Sequence, residues 1–329
     1  MTAVVLVHHD DYAGWVFDSH HPTQGRRFTR ARELLLDSAN KAGIEVIEVA
    51  SDLLPDRAVL ETVHDSGYID EVIVHGRSGE WSGERPDLAR IAQRMVGGTL
   101  LAARALVEGR ALTAVHFPGA KHHAMRDHSS GFCVFADFAI TARHLLGDPN
   151  SGVDRIAILD IDAHHGDGTE ALLLDERGAL TFSIHDSTNF PGTGHVDDTE
   201  KRAYNQPLEA GAGDAELAQG VERFIGLARE FDPDMVFIAM GADGIDQDPL
   251  SSLRYSIAGM ESAVGQARLA FPELPMLLGG AGGYLPDSVT PQAWARMVLV
   301  AATHVGGRQR RGRAATAIAL DRTPESDVK

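Results

Sequence analysis

Short apolar runs alternate with longer amphipathic stretches along most of this chain. Seven of the apolar runs have the composition of buried β-strands, at 3–7, 44–49, 112–116, 155–161, 180–184, 235–240 and 276–278. Five stretches with helical periodicity lie between them, at 27–42, 88–107, 135–146, 215–231 and 257–270. Continuous apolar strands that alternate with amphipathic helices are typical of a parallel sheet covered on both faces. The pattern therefore predicts an α/β fold.

The loop after the fourth predicted strand holds an unusual density of charged and imidazole side chains. Residues 160–168 read Asp-Ile-Asp-Ala-His-His-Gly-Asp-Gly. In an extended chain alternate side chains share a face, so Asp160, Asp162 and His164 should point the same way at the carboxyl end of that strand. A carboxylate and an imidazole two residues apart suit one divalent transition metal ion. We therefore predict a metal site here.

Asp243 is the best candidate for a third metal ligand. It follows the strand predicted at 235–240, so its carboxylate should also emerge at the carboxyl edge of the sheet. Two carboxylates and one imidazole would leave room on the ion for water and substrate, as a catalytic zinc site requires. The alternative for Asp243 alone is a turn aspartate that caps its own loop.

Two more loops carry groups that suit catalysis beside a metal ion. His122 and His123 could act as general base and general acid, oriented by Asp160 and Asp167. The glycine-rich segment 279–283 is followed by Tyr284, whose phenol could donate a hydrogen bond to a developing oxyanion. For this segment the alternative is a purely structural turn.

Composition narrows the cellular setting. The 329 residues carry a net charge of −17, which argues against non-specific nucleic-acid binding, and Cys133 is the only cysteine, as expected in a reducing compartment. No stretch approaches the length of a membrane span, and the first residues lack the basic region of a signal peptide. We expect a cytoplasmic protein with no membrane or nucleic-acid partner.

Taken in order, these motifs resemble those of the zinc-dependent histone deacetylase superfamily, with its bacterial acetylpolyamine amidohydrolases and acetoin-utilisation proteins. The resemblance extends from about His20 to Tyr284, and it includes the segments 64–68, 131–133 and 190–194. It implies the arginase/deacetylase fold, a three-layer α/β/α domain around a parallel sheet of about eight strands. We expect one catalytic domain at 1–305, followed by a flexible tail at 306–329.

The resemblance also assigns roles to individual residues. It makes Asp162, His164 and Asp243 the zinc ligands. It pairs His122 with Asp160 and His123 with Asp167, and it places Tyr284 at the position that stabilises the oxyanion. Further positions implied by the family are the walls of the substrate channel (Gly131, Phe132 and Phe190) and a structural potassium site (Asp160, Asp162, His164, Ser183 and Ile184).

The activity that the resemblance implies is hydrolysis of an acyl amide, either acetyl-lysine or another acetylated amine, to acetate and a free amine. The metal would be Zn²⁺, with Fe²⁺ as the alternative, because Asp and His ligands accept either ion. Four other functions compete with this one: an acetylpolyamine amidohydrolase, a catalytically silent module that binds acylated amines, a more distant manganese ureohydrolase, and a structural protein that uses zinc only for stability. The sequence leaves open whether the chain forms a homo-oligomer.

The loop before the twin histidines departs from the family pattern. The usual proline-proline-glycine-histidine-histidine stretch is here Pro-Gly-Ala-Lys-His-His at 118–123, so two residues lie between the glycine and the first histidine. This predicts a different loop path, and it brings the charge of Lys121 close to the site, where it could repel amines or hold a carboxylate-bearing substrate. The usual paired asparagines after the phenylalanine motif are Ala136-Asp137 here. The substrate therefore does not carry over from the family.

Overall fold

A single parallel sheet forms the centre of the molecule. The computed structural model describes residues 3–303, and within them the sheet has eight strands, all of whose pairings are parallel. The strands are β1 (Ala3–His8), β2 (Glu45–Ala50), β3 (Thr113–His116), β4 (Ile156–Asp160), β5 (Ala179–Asp186), β6 (Ala203–Leu208), β7 (Met235–Ala239) and β8 (Met276–Gly279). Their order across the sheet is β2-β1-β3-β8-β7-β4-β5-β6. The parallel sheet of about eight strands is thus confirmed.

Helices cover both faces of this sheet. They are α1 (Arg26–Ala42), α2 (Arg57–Leu60), α3 (Ser66–Ile73), α4 (Pro86–Val107), α5 (Asp137–Gly147), α6 (Asp167–Leu173), α7 (Asp214–Phe231), α8 (Ile257–Ala270) and α9 (Val289–Thr303). The central strands β3, β4, β7 and β8 are buried at every residue, which requires a helical layer on each side. The architecture is the three-layer α/β/α arrangement of the arginase/deacetylase fold.

All seven predicted strands and all five predicted helices are present, with ends that differ by a few residues. The pattern missed β6, an edge strand that contains Asn205 and Pro207 and has three buried and three half-buried positions. It also missed α2, α3, α6 and α9. The last of these is buried on several sides between α1 and α8, so it lacks the polar face that marks an amphipathic helix.

The structure describes neither the first two residues nor the C-terminal segment after residue 303. The tail predicted at 306–329 lies outside the described residues, and the single catalytic domain at 1–305 stays a prediction. Between residues 3 and 303, no helix combines the length and the apolar character that crossing a membrane would require.

The strand order places the candidate site. The neighbours β3, β8, β7 and β4 lie side by side at the centre of the sheet, and each is followed by one of the loops that carry candidate residues. Because parallel strands end at the same edge, these four loops meet above the carboxyl ends of the central strands. Residues from four distant parts of the sequence are thereby brought together.

One buried arginine fastens the layer formed by α8 and α9 to the sheet. Arg268 donates hydrogen bonds to the carbonyl oxygens of Leu274 (2.7 Å), Leu112 (2.9 Å) and Ala301 (2.9 Å), and its side chain is fully buried. Replacing Arg268 with methionine should lower the free energy of unfolding by about 3 kcal/mol. Three charge-assisted hydrogen bonds would be lost, and the carbonyls of Leu112 and Ala301 would keep only the Met276 amide and the Thr113 hydroxyl as donors. Urea denaturation measures the change.

A matched substitution on the surface provides the control. Arg296 pairs with Glu261 on the exposed side of the same helical layer, so Arg296→Met should change stability by less than about 1 kcal/mol. Equal urea midpoints for the two variants would contradict a structural role for Arg268.

Candidate metal centre and active site

Three predicted metal ligands converge at the carboxyl edge of the sheet. Asp162, His164 and Asp243 each offer a ligand atom, these atoms lie within 4.8 Å of one another, and all three residues are buried. The Nδ1 atom of His164 lies 3.1 Å from Asp162 Oδ1 and 3.1 Å from Asp243 Oδ2. The strand β4 already ends at Asp160, so the side chains meet through a turn rather than through the extended chain that the sequence suggested.

The hydrogen bonding of His164 fits a metal ligand. Its Nε2 lies 3.2 Å from the carbonyl oxygen of Leu250, and a carbonyl can only accept, so Nε2 carries a hydrogen. The lone pair of Nδ1 is then directed at the two carboxylates, an arrangement that needs a positive charge between them. Burial lowers the pKa of His164, but Asp162 and Asp243 together raise it to about 11. A proton meets this need at Nδ1, and a divalent cation would meet it better.

Close approach of the backbone holds the two carboxylates in place. The amide of Gly282 donates to Asp162 Oδ2 at 2.6 Å, and the amide of Ala163 donates to Asp243 Oδ1 at 2.9 Å. A Cβ atom at Gly282 would lie 2.0 Å from Asp243 Oδ2, which no side chain could tolerate. The glycine-rich loop therefore serves the close approach that the sequence predicted for it.

The twin histidines lie beside this cluster with the partners that the resemblance implied. The Nδ1 atom of His122 is 2.7 Å from Asp160, the Nδ1 atom of His123 is 2.7 Å from Asp167, and the two imidazole rings are 4.0 Å apart. Burial lowers the pKa of His122, but the carboxylates of Asp160 and Asp162 raise it to about 9. Burial and the charge on His122 lower the pKa of His123 to about 4.

Tyr284 and two phenylalanines line the approach to the cluster. The ring of Tyr284 meets that of Phe132 edge-on at 5.8 Å, and the ring of Phe190 packs edge-on against His123 at 5.0 Å. Gly131 must be a glycine, because its φ is +53° and a Cβ atom there would lie 2.3 Å from the His123 ring. Phe190 is 45% exposed, so this aromatic approach leads from the surface to the histidines.

Three residues of the implied potassium site, Asp160, Ser183 and Ile184, lie on neighbouring strands of the sheet. Ser183 on β5 is opposite Asp160 on β4, and Ile184 follows it as a buried residue. The hydroxyl of Ser183 already contacts His185 Nδ1 at 3.0 Å. Potassium binding by Asp160, Asp162, His164, Ser183 and Ile184 stays a prediction.

Asp137 anchors the loop just before the twin histidines, whose sequence differs from the family pattern. Its carboxylate accepts hydrogen bonds from the backbone amides of Ala120 (3.0 Å) and Lys121 (2.7 Å), and from the hydroxyl of Thr99 (2.5 Å). Ala120 adopts a left-handed backbone with a φ of +63°, and the Lys121 side chain turns into the protein, where it is only 6% exposed. The sequence placed the charge of Lys121 near the site but did not show its burial.

Sequence reasoning missed two positions that touch the site. Arg27 donates through Nη1 to the carbonyl of Gly283, next to Tyr284. The position of Arg27 on α1 could have identified it, because Arg27 shares the buried face of this helix with Ala31, Leu35 and Ala39. Glu80 accepts a hydrogen bond from the Phe132 amide at 2.9 Å, and nothing in its spacing marked it.

Comparison with known proteins agrees with this geometry. A family model described as "Histone deacetylase domain" matches residues 21–301. The chain is 30% identical over 324 residues to the acetoin utilization protein AcuC of Bacillus subtilis, covering 90% of this chain and 81% of that protein. It is 28% identical over 325 residues to AcuC of Staphylococcus aureus strain MRSA252, covering 91% and 82%. It is also 35% identical over 209 residues to histone deacetylase 8 of Xenopus laevis, covering 60% and 61%.

Proposed function

The chain belongs to the histone deacetylase family, and from this premise we propose that it is a metal-dependent amidohydrolase that removes an acyl group from an acylated amine such as acetyl-lysine. The buried cluster of Asp162, His164 and Asp243 beside the twin histidines is the observation that carries the proposal. In the reaction the amide C–N bond breaks, water supplies the new C–O bond, and the amine leaves with a proton. The products are a carboxylate and a free amine.

Asp162, His164 and Asp243 would hold the ion, with Zn²⁺ as the first choice and Fe²⁺ as the alternative. When bound there, a divalent ion supplies Lewis acidity towards the amide carbonyl and towards water. Among residues 3–303 three side chains offer ligand atoms there, which would leave the site open and suits catalysis better than a closed structural zinc site. The same openness argues against a purely structural metal.

The two histidines would have different roles in the reaction. His123 has a lowered pKa, so it is neutral at pH 7 and can accept a proton from the attacking water through Nε2. Asp167 orients it by occupying Nδ1. His122 has a raised pKa and keeps its proton, so it stabilises negative charge that develops beside it. The proton held by His123 is then available to the leaving amine.

Tyr284 is suited to stabilise the oxyanion. Burial and the nearby carboxylates of Asp243 and Asp162 raise the pKa of its phenol well above the usual range. The phenol therefore stays neutral and can donate a hydrogen bond to the amide oxygen as negative charge grows on it. Retention of this residue together with both histidines favours an active enzyme over a silent binding module.

Hydrolysis of a fluorogenic acetyl-lysine amide tests the proposal. We expect turnover that a chelator abolishes and that added Zn²⁺ or Fe²⁺ restores, because no group other than the ion supplies the Lewis acid. A panel of acetylated polyamines run in parallel decides between a lysine deacylase and an acetylpolyamine amidohydrolase. Turnover that survives complete removal of metal would contradict the proposal.

A further inference from the structure

Two buried cations lie at the inner end of the candidate active site. Arg27 is 2% exposed and Lys121 is 6% exposed. Between residues 3 and 303, neither side chain has a carboxylate within the 4.0 Å of an ion pair. Burying a charge without a partner is costly, so the two cations need an explanation that fold stability does not provide.

Both cations face the same aromatic surface behind Tyr284. The Cζ atom of Arg27 lies 5.0 Å from the centre of the Phe28 ring, and the Nζ atom of Lys121 lies 5.7 Å from it. Arg27 also lies 5.5 Å from the Tyr284 ring and 5.4 Å from the fully buried Trp294 ring. The two cations therefore lie among buried aromatic rings next to Tyr284.

The donors of both side chains are largely unused. In the part of the chain that the structure describes, the Nε atom of Arg27 is buried without a hydrogen-bond partner, and of its guanidinium nitrogens Nη1 alone donates, to the carbonyl of Gly283. Within the described residues the ammonium of Lys121 makes no hydrogen bond; its contact is the cation–π one with Phe28. Cation–π contacts compensate part of the burial but leave the N–H donors without acceptors.

The nearby carboxylates are already engaged. Asp137 is used by the amides of Ala120 and Lys121 and by Thr99, while Asp162 and Asp243 face His164. A divalent ion at Asp162 and Asp243 would neutralise their charge and leave the two cations still less compensated. Burial lowers the pKa of Lys121 to about 8, so its ammonium stays mostly protonated at pH 7.

We propose that Lys121 and Arg27 form a carboxylate-binding subsite, and that the enzyme prefers short acyl groups that end in a carboxylate, such as succinyl or glutaryl. This proposal rests on the proposed hydrolase function. The distal carboxylate would pair with Lys121 and Arg27 while the amide carbon lies at Asp162, His164 and Asp243. Hydrolysis breaks the amide C–N bond, adds water, and yields a dicarboxylate and a free amine. An acetyl group carries no charge and would leave both cations without a partner.

A series of one lysine peptide with different acyl groups tests the subsite. We expect kcat/KM for the succinyl or glutaryl peptide to exceed that for the neutral butyryl and pentanoyl peptides by about 10- to 100-fold, the effect of a charge-assisted hydrogen bond. Lys121→Met should reduce this ratio at least tenfold, and Lys121→Arg should largely retain it. The matched control is Lys201→Met, which removes a surface ammonium paired with Asp175 and should leave the ratio unchanged.

Calorimetry of the metal-loaded protein gives a readout that does not depend on turnover. Glutarate should bind at least about tenfold more tightly than butyrate, because its two carboxylates can occupy the metal site and the Lys121 subsite at once whereas butyrate has a single carboxylate, and Lys121→Met should remove the difference. A wild-type substrate ratio near one, or equal binding of glutarate and butyrate, would overturn the subsite even if Lys121→Met failed to fold.

The two proposals fail in different ways. Hydrolysis of neutral acyl peptides without any preference for a carboxylate would overturn the subsite alone. No hydrolysis of any acyl peptide by the metal-loaded protein would overturn the proposed function, and the calorimetric comparison would still decide on the subsite.

Discussion

Replacing Asp243 with asparagine is expected to abolish metal binding and to reduce deacylation by at least about a thousandfold. The Oδ1 atom of Asp243 accepts the Ala163 amide, so the asparagine would keep its carbonyl oxygen there and present its NH₂ group where Oδ2 now faces His164. An NH₂ group has no lone pair for a metal ion, and the site loses one of its two negative charges. The lost Lewis acidity is worth several kcal/mol of barrier, which sets the size of the effect. Metal analysis of the dialysed protein and kcat/KM on an acetyl-lysine amide measure both losses.

The control for this variant is Asp246→Asn on the same loop. Asp246 is exposed and lies 3.6 Å from Arg254 at the surface, so its substitution should leave metal content and turnover near the wild-type level. If Asp243→Asn kept one ion per chain and full turnover, Asp243 would not be a ligand. A loss in both variants would instead indicate a general disturbance of the loop.

The candidate metal ligands could be nominated from the sequence because the ends of buried strands can be recognised in it. Asp162 and Asp243 each follow a continuous apolar run, and parallel strands bring their carboxyl ends to one edge. The sequence did not predict that β4 and β7 are direct neighbours, because this depends on the strand order of the sheet. Motif order and strand-end position were therefore sufficient to nominate the residues, and the sheet topology supplies their contact.

The inner end of the site was not predictable in the same way. The sequence placed Lys121 near the site, but Arg27 lies about ninety positions away, in an amphipathic helix whose local pattern has a plain structural explanation. Their convergence depends on how α1 packs behind the glycine-rich loop and on how Asp137 folds the segment before His122. Such contacts between non-adjacent loops and helices leave no periodic signal in the sequence.

The edge strand β6 is an element that the sequence pattern did not predict. Its sequence Ala-Tyr-Asn-Gln-Pro-Leu has the polar content of a loop, yet it pairs with β5 over six positions. An edge strand needs hydrogen bonds on only one side, so it accepts a proline and polar side chains that a central strand would exclude. Composition alone therefore underestimates the width of a parallel sheet at its edges.

Tyr284→Phe is expected to lower kcat by about a hundred- to a thousandfold while leaving metal binding intact. The phenol is the group that would donate to the oxyanion, and loss of one such donor has an effect of this size. The ring itself is held by contacts that phenylalanine preserves: its backbone amide donates to Asp248 at 2.7 Å, and Arg27 and Phe132 pack against its face and edge. Because the lost interaction forms in the transition state, kcat should fall far more than KM rises.

The matched control for this variant is Tyr204→Phe, on the edge strand β6. Its ring is half-buried against the core, and the substitution removes a phenol far from the Asp162, His164 and Asp243 cluster. We expect unchanged kcat and an unchanged metal content. If Tyr284→Phe turned over acetyl-lysine at the wild-type rate, the oxyanion would have to be stabilised without Tyr284. A fall in metal content in the same variant would instead mean that the ring acts by supporting the ligands.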